Sequence, residues 1–155
     1  MSEHTATVEW RRGDQAFTDN RYSRAHDWRF DGGAVVPGSS APTSVPIPMS
    51  DPAAVDPEEA LVAALSSCHM LFFLGYAAKA GFTVDRYHDE PVGELGRDAD
   101  GHVSMMRFTL RPAVDFSGET RPDAAQIDDL HHRAHTACYI ANSVRGEVRI
   151  EPRPA

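Results

Sequence analysis

The sequence predicts an α+β fold, and three features of it carry that reading. Strand-like segments open the chain, one long uncharged helix follows, and a hairpin, a second helix and a last strand close it. That order lacks the regular strand–helix alternation of a parallel-sheet protein. With 155 residues, of which 41% are hydrophobic and 25% charged, the chain has the size and composition of one globular domain, residues 1–155.

Residues 5–10 (TATVEW) and 21–30 (RYSRAHDWRF) have the β-branched and aromatic content of strands, and the polar, Gly-containing residues between them suit a hairpin. From Asp31 to Asp56 the chain is rich in Gly, Pro, Ser and Ala, with PGSSAPTSVPIP at its centre, and it is expected to be a long loop. A loop of that length in a compact domain is often functional or packed on a partner subunit.

A helix is predicted from about Pro57 to Ala80. Asp56 supplies a cap acceptor, Pro57 a first-turn residue, and a carboxylate three residues after the cap bonds back to it. Gly81 supplies the stop. Such a helix is roughly 36 Å long at 1.5 Å per residue. It is apolar nearly all round, so sheet, helix or a second subunit must cover most of it.

Residues 84–97 and 102–116 read as two strands around the turn Asp98-Ala99-Asp100-Gly101. A second helix is expected from about Pro122 to Cys138, with Ile127, Leu130 and Ala134 as its apolar stripe. Val144 to Ile150 alternates as a half-buried strand does.

Charge excludes one class of partner. At a formal net charge of −8 and without a Lys/Arg cluster, the chain is not expected to bind nucleic acid. From Ala60 to Ala78 there is no charged residue, but Ser66, Ser67 and His69 interrupt that stretch and acidic residues open it, so a buried helix is expected rather than a membrane span. The N-terminus lacks the basic and apolar pattern of a signal peptide, and a reducing cytoplasmic location is expected. In that compartment two cysteines are not presumed to form a static bridge.

Cys68 lies mid-way along the uncharged helix and Cys138 at the end of the second. Free cysteines are commonly small buried hydrophobes. The polar company of Ser66, Ser67 and His69 argues for use, because buried polar groups are costly unless paired. A working thiolate needs a cation or hydrogen-bond donors, and Arg24, His26 and His69 are the candidates. His131, His135 and Cys138 share one helical face, with His132 nearby; that is a weak pattern for a zinc or copper site and is read first as a plain polar face. No HExxH, CxxC, GxGxxG or P-loop pattern occurs.

DPEEALVAALSSCHM (56–70) and AHTACYIANSVRGEVRI (134–150), with AAKAGF (77–82) after the first helix, resemble the signatures of the OsmC/Ohr family. The resemblance implies an intertwined α+β homodimer with active sites at the subunit interface, reducing organic hydroperoxides through a cysteine pair. It makes Cys68 the attacking thiol, Cys138 the resolving thiol, and Glu58, ten positions before Cys68, the carboxylate that orients an arginine over the thiolate. Arg24 in RYSRAH is the expected arginine, with Arg21 next. Ten helical residues span roughly 15 Å, so Glu58 either serves the Cys68 of the other subunit or the helix is broken.

The implied substrate pocket draws on His69, Met70, Phe72 and Phe73. A small or lipoyl-type dithiol is the implied reductant, and no cofactor or metal is needed. His69 and Tyr139 stand where the best-known peroxidases of the family carry an aromatic residue and a proline, so the chain resembles a less characterised branch with YSRxH and CHM motifs. A redox-sensing or small-molecule- or metal-binding protein without peroxidase turnover is the alternative, and two inert structural cysteines a further one.

Overall fold

β-Branched and aromatic residues set the first sheet. β1 (Ala6–Glu9) pairs antiparallel with β2 (His26–Phe30), as the hairpin reading expected. Residues 21–25 are not strand. The stretch expected to be loop contains a third strand, β3 (Val35–Gly38), antiparallel to β2. Val35 and Val36 supply its β propensity, and Gly33, at φ 88, makes the turn that returns the chain from β2. Pro37 has no N–H to give, but its carbonyl still accepts from Val55. These three strands lie in the first of two units, Met1–Ala60; the second is Leu61–Ala155. The computed structural model describes residues 1–154.

α1 (Pro57–Lys79) starts as its cap signature dictates. The Asp56 side chain accepts from the Glu59 N–H at 2.8 Å and the Glu59 carboxylate accepts from the Asp56 N–H at 3.2 Å. Gly81, at φ 81, turns the chain out after the last helical residue. The helix is unbroken.

Two strands expected on either side of Asp98–Gly101 are in fact four. β4 (Thr83–His88) ends before Pro91, β5 (Val92–Arg97) and β6 (Val103–Leu110) form the expected hairpin, and β7 (Ala113–Ser117) begins after Pro112. The prolines interrupt each long strand where a ladder N–H is missing. β4 then pairs with β7 as a separate two-stranded sheet.

α2 (Ala124–Ala137) starts two residues later than Pro122, because Asp123 caps it: its side chain accepts from Gln126 N–H at 2.8 Å while the Gln126 side chain accepts from Asp123 N–H at 2.9 Å. β8 (Glu147–Ile150) joins β6 in parallel, although the other ladders are antiparallel. Gly146 permits that approach, since a Cβ there would collide with the Met105 carbonyl oxygen and the Phe108 ring.

Within the second unit α1 bridges two apolar clusters. Leu65 packs with Phe108, Leu110 and Cys138 beside β6 and β8; Phe73 and Ala77 pack with Leu130 and Ala134 of α2 and with aromatic residues of β4 and β7. The buried positions of α1, Leu65, Ser66, His69, Phe73 and Ala77, form one stripe. Ala63, Ser67, Leu71, Gly75 and Ala78, on another face, are exposed. The chain therefore covers one face of this helix and leaves another open.

Losing the Asp123 carboxylate leaves the Gln126 N–H in the first turn of α2 without its partner. Asp123→Ala is expected to cost about 1 kcal/mol, read as a lower denaturant midpoint with an unchanged slope.

Candidate functional site

The site is built around Cys68, placed by α1 between the buried stripe and the exposed face. Cys68 is half-buried, and with Ser67, Leu71, Phe72 and Tyr139 it lines an apolar cavity of about 370 Å³. Cys138 is fully buried, in the cluster against which Cys68 packs. It stands just past the end of α2, where its backbone turns extended (φ −64, ψ 115). The Cys138 sulfur accepts from Ala141 N–H at 3.4 Å. Burial, and then a hydrogen bond with Cys68 and that neighbour's charge, push the Cys138 pKa up to about 11, although the Ala141 N–H works the other way. One thiol thus faces a cavity while the other is held protonated behind it.

Four side chains were expected to line the substrate pocket. Phe72 does lie in the Cys68 cavity; Met70 lines a neighbouring cavity of about 350 Å³ that shares Ser67 with it. Phe73 and His69 are corrections, because both point into the core. Phe73 is fully buried among Leu130 and Ala134. His69 follows Cys68, and one residue turns a helix by about 100°, which directs its ring to the buried stripe.

There His69 Nε2 lies 3.1 Å from His131 Nδ1, with the rings stacked at 5.4 Å. Burial drives the pKa of His69 down to about 4, helped by His131 and His135; burial drives His131 to about 4 as well, against the pull of Asp128. Both rings are neutral at pH 7, and one proton bridges them. The outer nitrogens, His69 Nδ1 and His131 Nε2, are buried without partners. Since the bridge uses one of the two N–H groups, one donor is always left unpaired.

Ser66, the other polar residue of the stripe, donates to an Asp89 carboxylate oxygen at 2.5 Å, and the second oxygen accepts from Arg111 N–H at 2.6 Å. Asp89 thereby ties α1 to the end of β6. Sequence reading missed it, because a lone Asp before Pro91 looks like any turn residue.

The histidine face of α2 does not converge as a metal site. His131 turns to His69, Cys138 joins the other cluster, and His132 is exposed. Among the described residues the group of three with converging ligand atoms is Asp98, Asp100 and His102, on an open hairpin turn.

In the first unit the RYSRAH segment is a fixed structure. Asn20, in the left-handed region at φ 59, presents its Oδ1 to Arg24 Nη2 at 2.7 Å and its carbonyl to both guanidinium ends at 3.2 Å. Arg24 also donates to the Tyr22 carbonyl and lies 3.8 Å over the Tyr22 ring. Every one of these partners is neutral, so the guanidinium is held without being neutralised. Arg21 is exposed. Trp28 Nε1 donates to His26 Nε2 at 2.8 Å, which fixes the His26 proton on Nδ1, from which it donates to the Arg24 carbonyl at 2.8 Å. Gly38 makes room for this lock, because a Cβ there would strike His26 Nε2. Trp28 and Gly38 were not singled out in the sequence, where Trp28 counted only toward the aromatic content of a strand and Gly38 toward a Gly- and Pro-rich loop.

Glu58 lies in the first turn of α1, and the cap employs Glu59 rather than Glu58. Because α1 is continuous, the broken-helix route to Cys68 is closed.

The family model described as OsmC-like protein matches residues 50–153. The chain belongs to the OsmC-like family. A solved OsmC-like protein of unknown function from Vibrio cholerae is 54% identical, covers 99% of this chain and 100% of its own, and superposes with a TM-score of 0.97. The organic hydroperoxide resistance protein of Elizabethkingia anophelis shares the OsmC-like fold at a TM-score of 0.71 with 15% identity, over 100% of this chain and 96% of that one. OhrB, the organic hydroperoxide resistance protein of Bacillus subtilis, does so at 0.65 with 20% identity, over 97% and 98%. No curated protein matches the chain in sequence.

The histidine pair gives this OsmC-like chain a pH signature. A pKa near 4 in the folded state against 6.5 unfolded means that the unfolded chain binds protons first. Stability is full above about pH 6.5 and falls as pH drops toward 4, by about 3 kcal/mol for each of the two histidines. Denaturant titrations at pH 7 and pH 5 check this, and His131→Phe is expected to flatten the difference.

Proposed function

We propose that this OsmC-like protein is a thiol peroxidase that reduces organic hydroperoxides, with Cys68 attacking and Cys138 resolving. The observation that carries the reading is the asymmetry of the two thiols. Cys68 borders an apolar cavity, while Cys138 is sealed behind it with a raised pKa. The names of the Elizabethkingia and Bacillus proteins, organic hydroperoxide resistance proteins that share the fold, agree with it.

In the proposed cycle the Cys68 thiolate attacks the terminal peroxide oxygen. The S–O bond forms, the O–O bond breaks, and the leaving alkoxide takes a proton to become the alcohol. Cys138 then displaces the sulfenic oxygen: the S–S bond forms and water leaves with the thiol proton. An external dithiol, small or lipoyl-type, returns both sulfurs to thiols. The cycle needs no cofactor. An apolar cavity favours a peroxide that brings hydrocarbon with it over hydrogen peroxide.

A thiolate at Cys68 needs a cation, and we assign that role to Arg24, oriented by Glu58. Arg24 suits it because its hydrogen-bond partners are neutral, which leaves its charge available. Glu58 is separated from the Cys68 of its own helix by roughly 15 Å, so the proposal places it in the service of a second copy. The exposed face of α1, with Leu71 65% accessible, is the surface on which that copy would pack in a homodimer. The protein is proposed to act in the cytoplasm.

One equivalent of cumene hydroperoxide added to the reduced protein should remove two thiols and two mass units within seconds. Sulfenic acid should be trapped only in Cys138→Ser, and Cys68→Ser should not react. Oxidation no faster than that of a free thiol would sink the proposal.

Arg24→Met is expected to slow alkylation of Cys68 by iodoacetamide at pH 7 by about tenfold, because the thiolate is the reacting form and loses its cation. An unchanged rate removes Arg24 from the site.

A further inference from the structure

We infer that Tyr139 determines substrate specificity, as an aromatic wall of the Cys68 cavity that selects hydroperoxides bearing a flat hydrocarbon ring. The inference deepens the peroxidase reading and rests on it. Its geometry follows from the end of α2. Cys138 leaves the helical conformation, and the next residues are tied down: the Cys138 carbonyl accepts from Asn142 N–H at 3.1 Å and the Tyr139 carbonyl from the Ser143 hydroxyl at 2.7 Å. The Tyr139 backbone is fixed beside the buried thiol while its side chain remains 72% exposed.

That side chain stands edge-on to Phe72, with ring centroids 5.1 Å apart and planes at 87°. Two rings at a right angle form an apolar corner next to Cys68. A flat aromatic group fits such a corner, offset against one ring and edge-to-face with the other. A compact alkyl group touches less of both. Hydrogen peroxide finds little to bond: the Ser67 hydroxyl is turned back onto the Ala64 carbonyl at 3.1 Å. About 370 Å³ is enough space for a substituent of one ring. Tyr139 thus selects by ring contact rather than by hydrogen bonding, and Phe should replace it where Ala cannot.

The test compares kcat/KM for cumene hydroperoxide, tert-butyl hydroperoxide and hydrogen peroxide in wild type, Tyr139→Phe and Tyr139→Ala. The expected result is a cumene-to-hydrogen-peroxide ratio that falls about tenfold in Tyr139→Ala, the scale of one lost aromatic packing contact, and holds in Tyr139→Phe. Equal losses for all three peroxides, or an unchanged ratio, overturn the inference. A second measurement does not depend on turnover: protection of Cys68 from iodoacetamide by 2-phenylpropan-2-ol, the alcohol product. Protection in wild type and Tyr139→Phe but not in Tyr139→Ala supports the wall even in a protein that reduces no peroxide, a result that would overturn the peroxidase reading alone. No protection in wild type overturns the wall.

Discussion

A polar group on the covered side of an apolar helix has to be paired, and in α1 that requirement organises much of the second unit. The buried stripe holds Ser66 and His69 among Leu65, Phe73 and Ala77. Ser66 is answered by Asp89, which also takes the Arg111 N–H, and His69 is answered by His131. Each bond crosses from α1 to a different element, so the helix is located in rotation as well as in depth. Apolar contacts alone would tolerate a small twist of α1; a bond between two buried imidazoles and one from the buried Ser66 hydroxyl to a half-buried carboxylate do not, because breaking either leaves a desolvated group on α1 unpaired. Cys68 lies between these two anchors in sequence, and its direction follows from theirs.

The features legible in the sequence were those with local causes. The cap at Asp56-Pro57-Glu58-Glu59, the stop at Gly81 and the hairpin about Asp98–Gly101 each depend on residues within a few positions of one another, and each is present. What stayed illegible depends mostly on partners distant in sequence. Residues 84–97 divide at Pro91, but where the two halves pair is not local: β4 pairs with β7 rather than with its neighbour. The direction of β8 depends on β6, and Gly146 reveals the close approach only when the Met105 carbonyl is seen opposite it. β3 was hidden by the prolines and small residues around two valines.

The same division holds at the site. Both cysteines stood out by residue type, but the direction of each side chain depended on its surroundings. His69 looked like a companion of Cys68 because it is adjacent, yet on a helix adjacency separates side chains by about 100°. Its real partner, His131, appeared in the sequence only as one of a run of histidines whose spacing suggested a metal. Buried and sharing one proton, the two rings are instead a neutral clamp between α1 and α2. RYSRAH drew attention as a possible source of a cation; the bonds within it show a local frame in which His26 and Trp28 fix the Arg24 backbone and Asn20 holds the guanidinium.

Burial affects the two sulfurs and the two imidazoles through one rule with opposite signs. Desolvation penalises whichever form is charged, so it holds Cys138 as a thiol and His69 and His131 as neutral bases. None of the three supplies charge to Cys68 at neutral pH. A cation for a Cys68 thiolate must therefore come from a group that keeps its charge when partly buried. Arginine has that property, because the guanidinium is always protonated. Arg24, the cation proposed for Cys68, is held by neutral partners only, whereas a salt-bridged arginine such as Arg107 faces both Glu94 and Glu147.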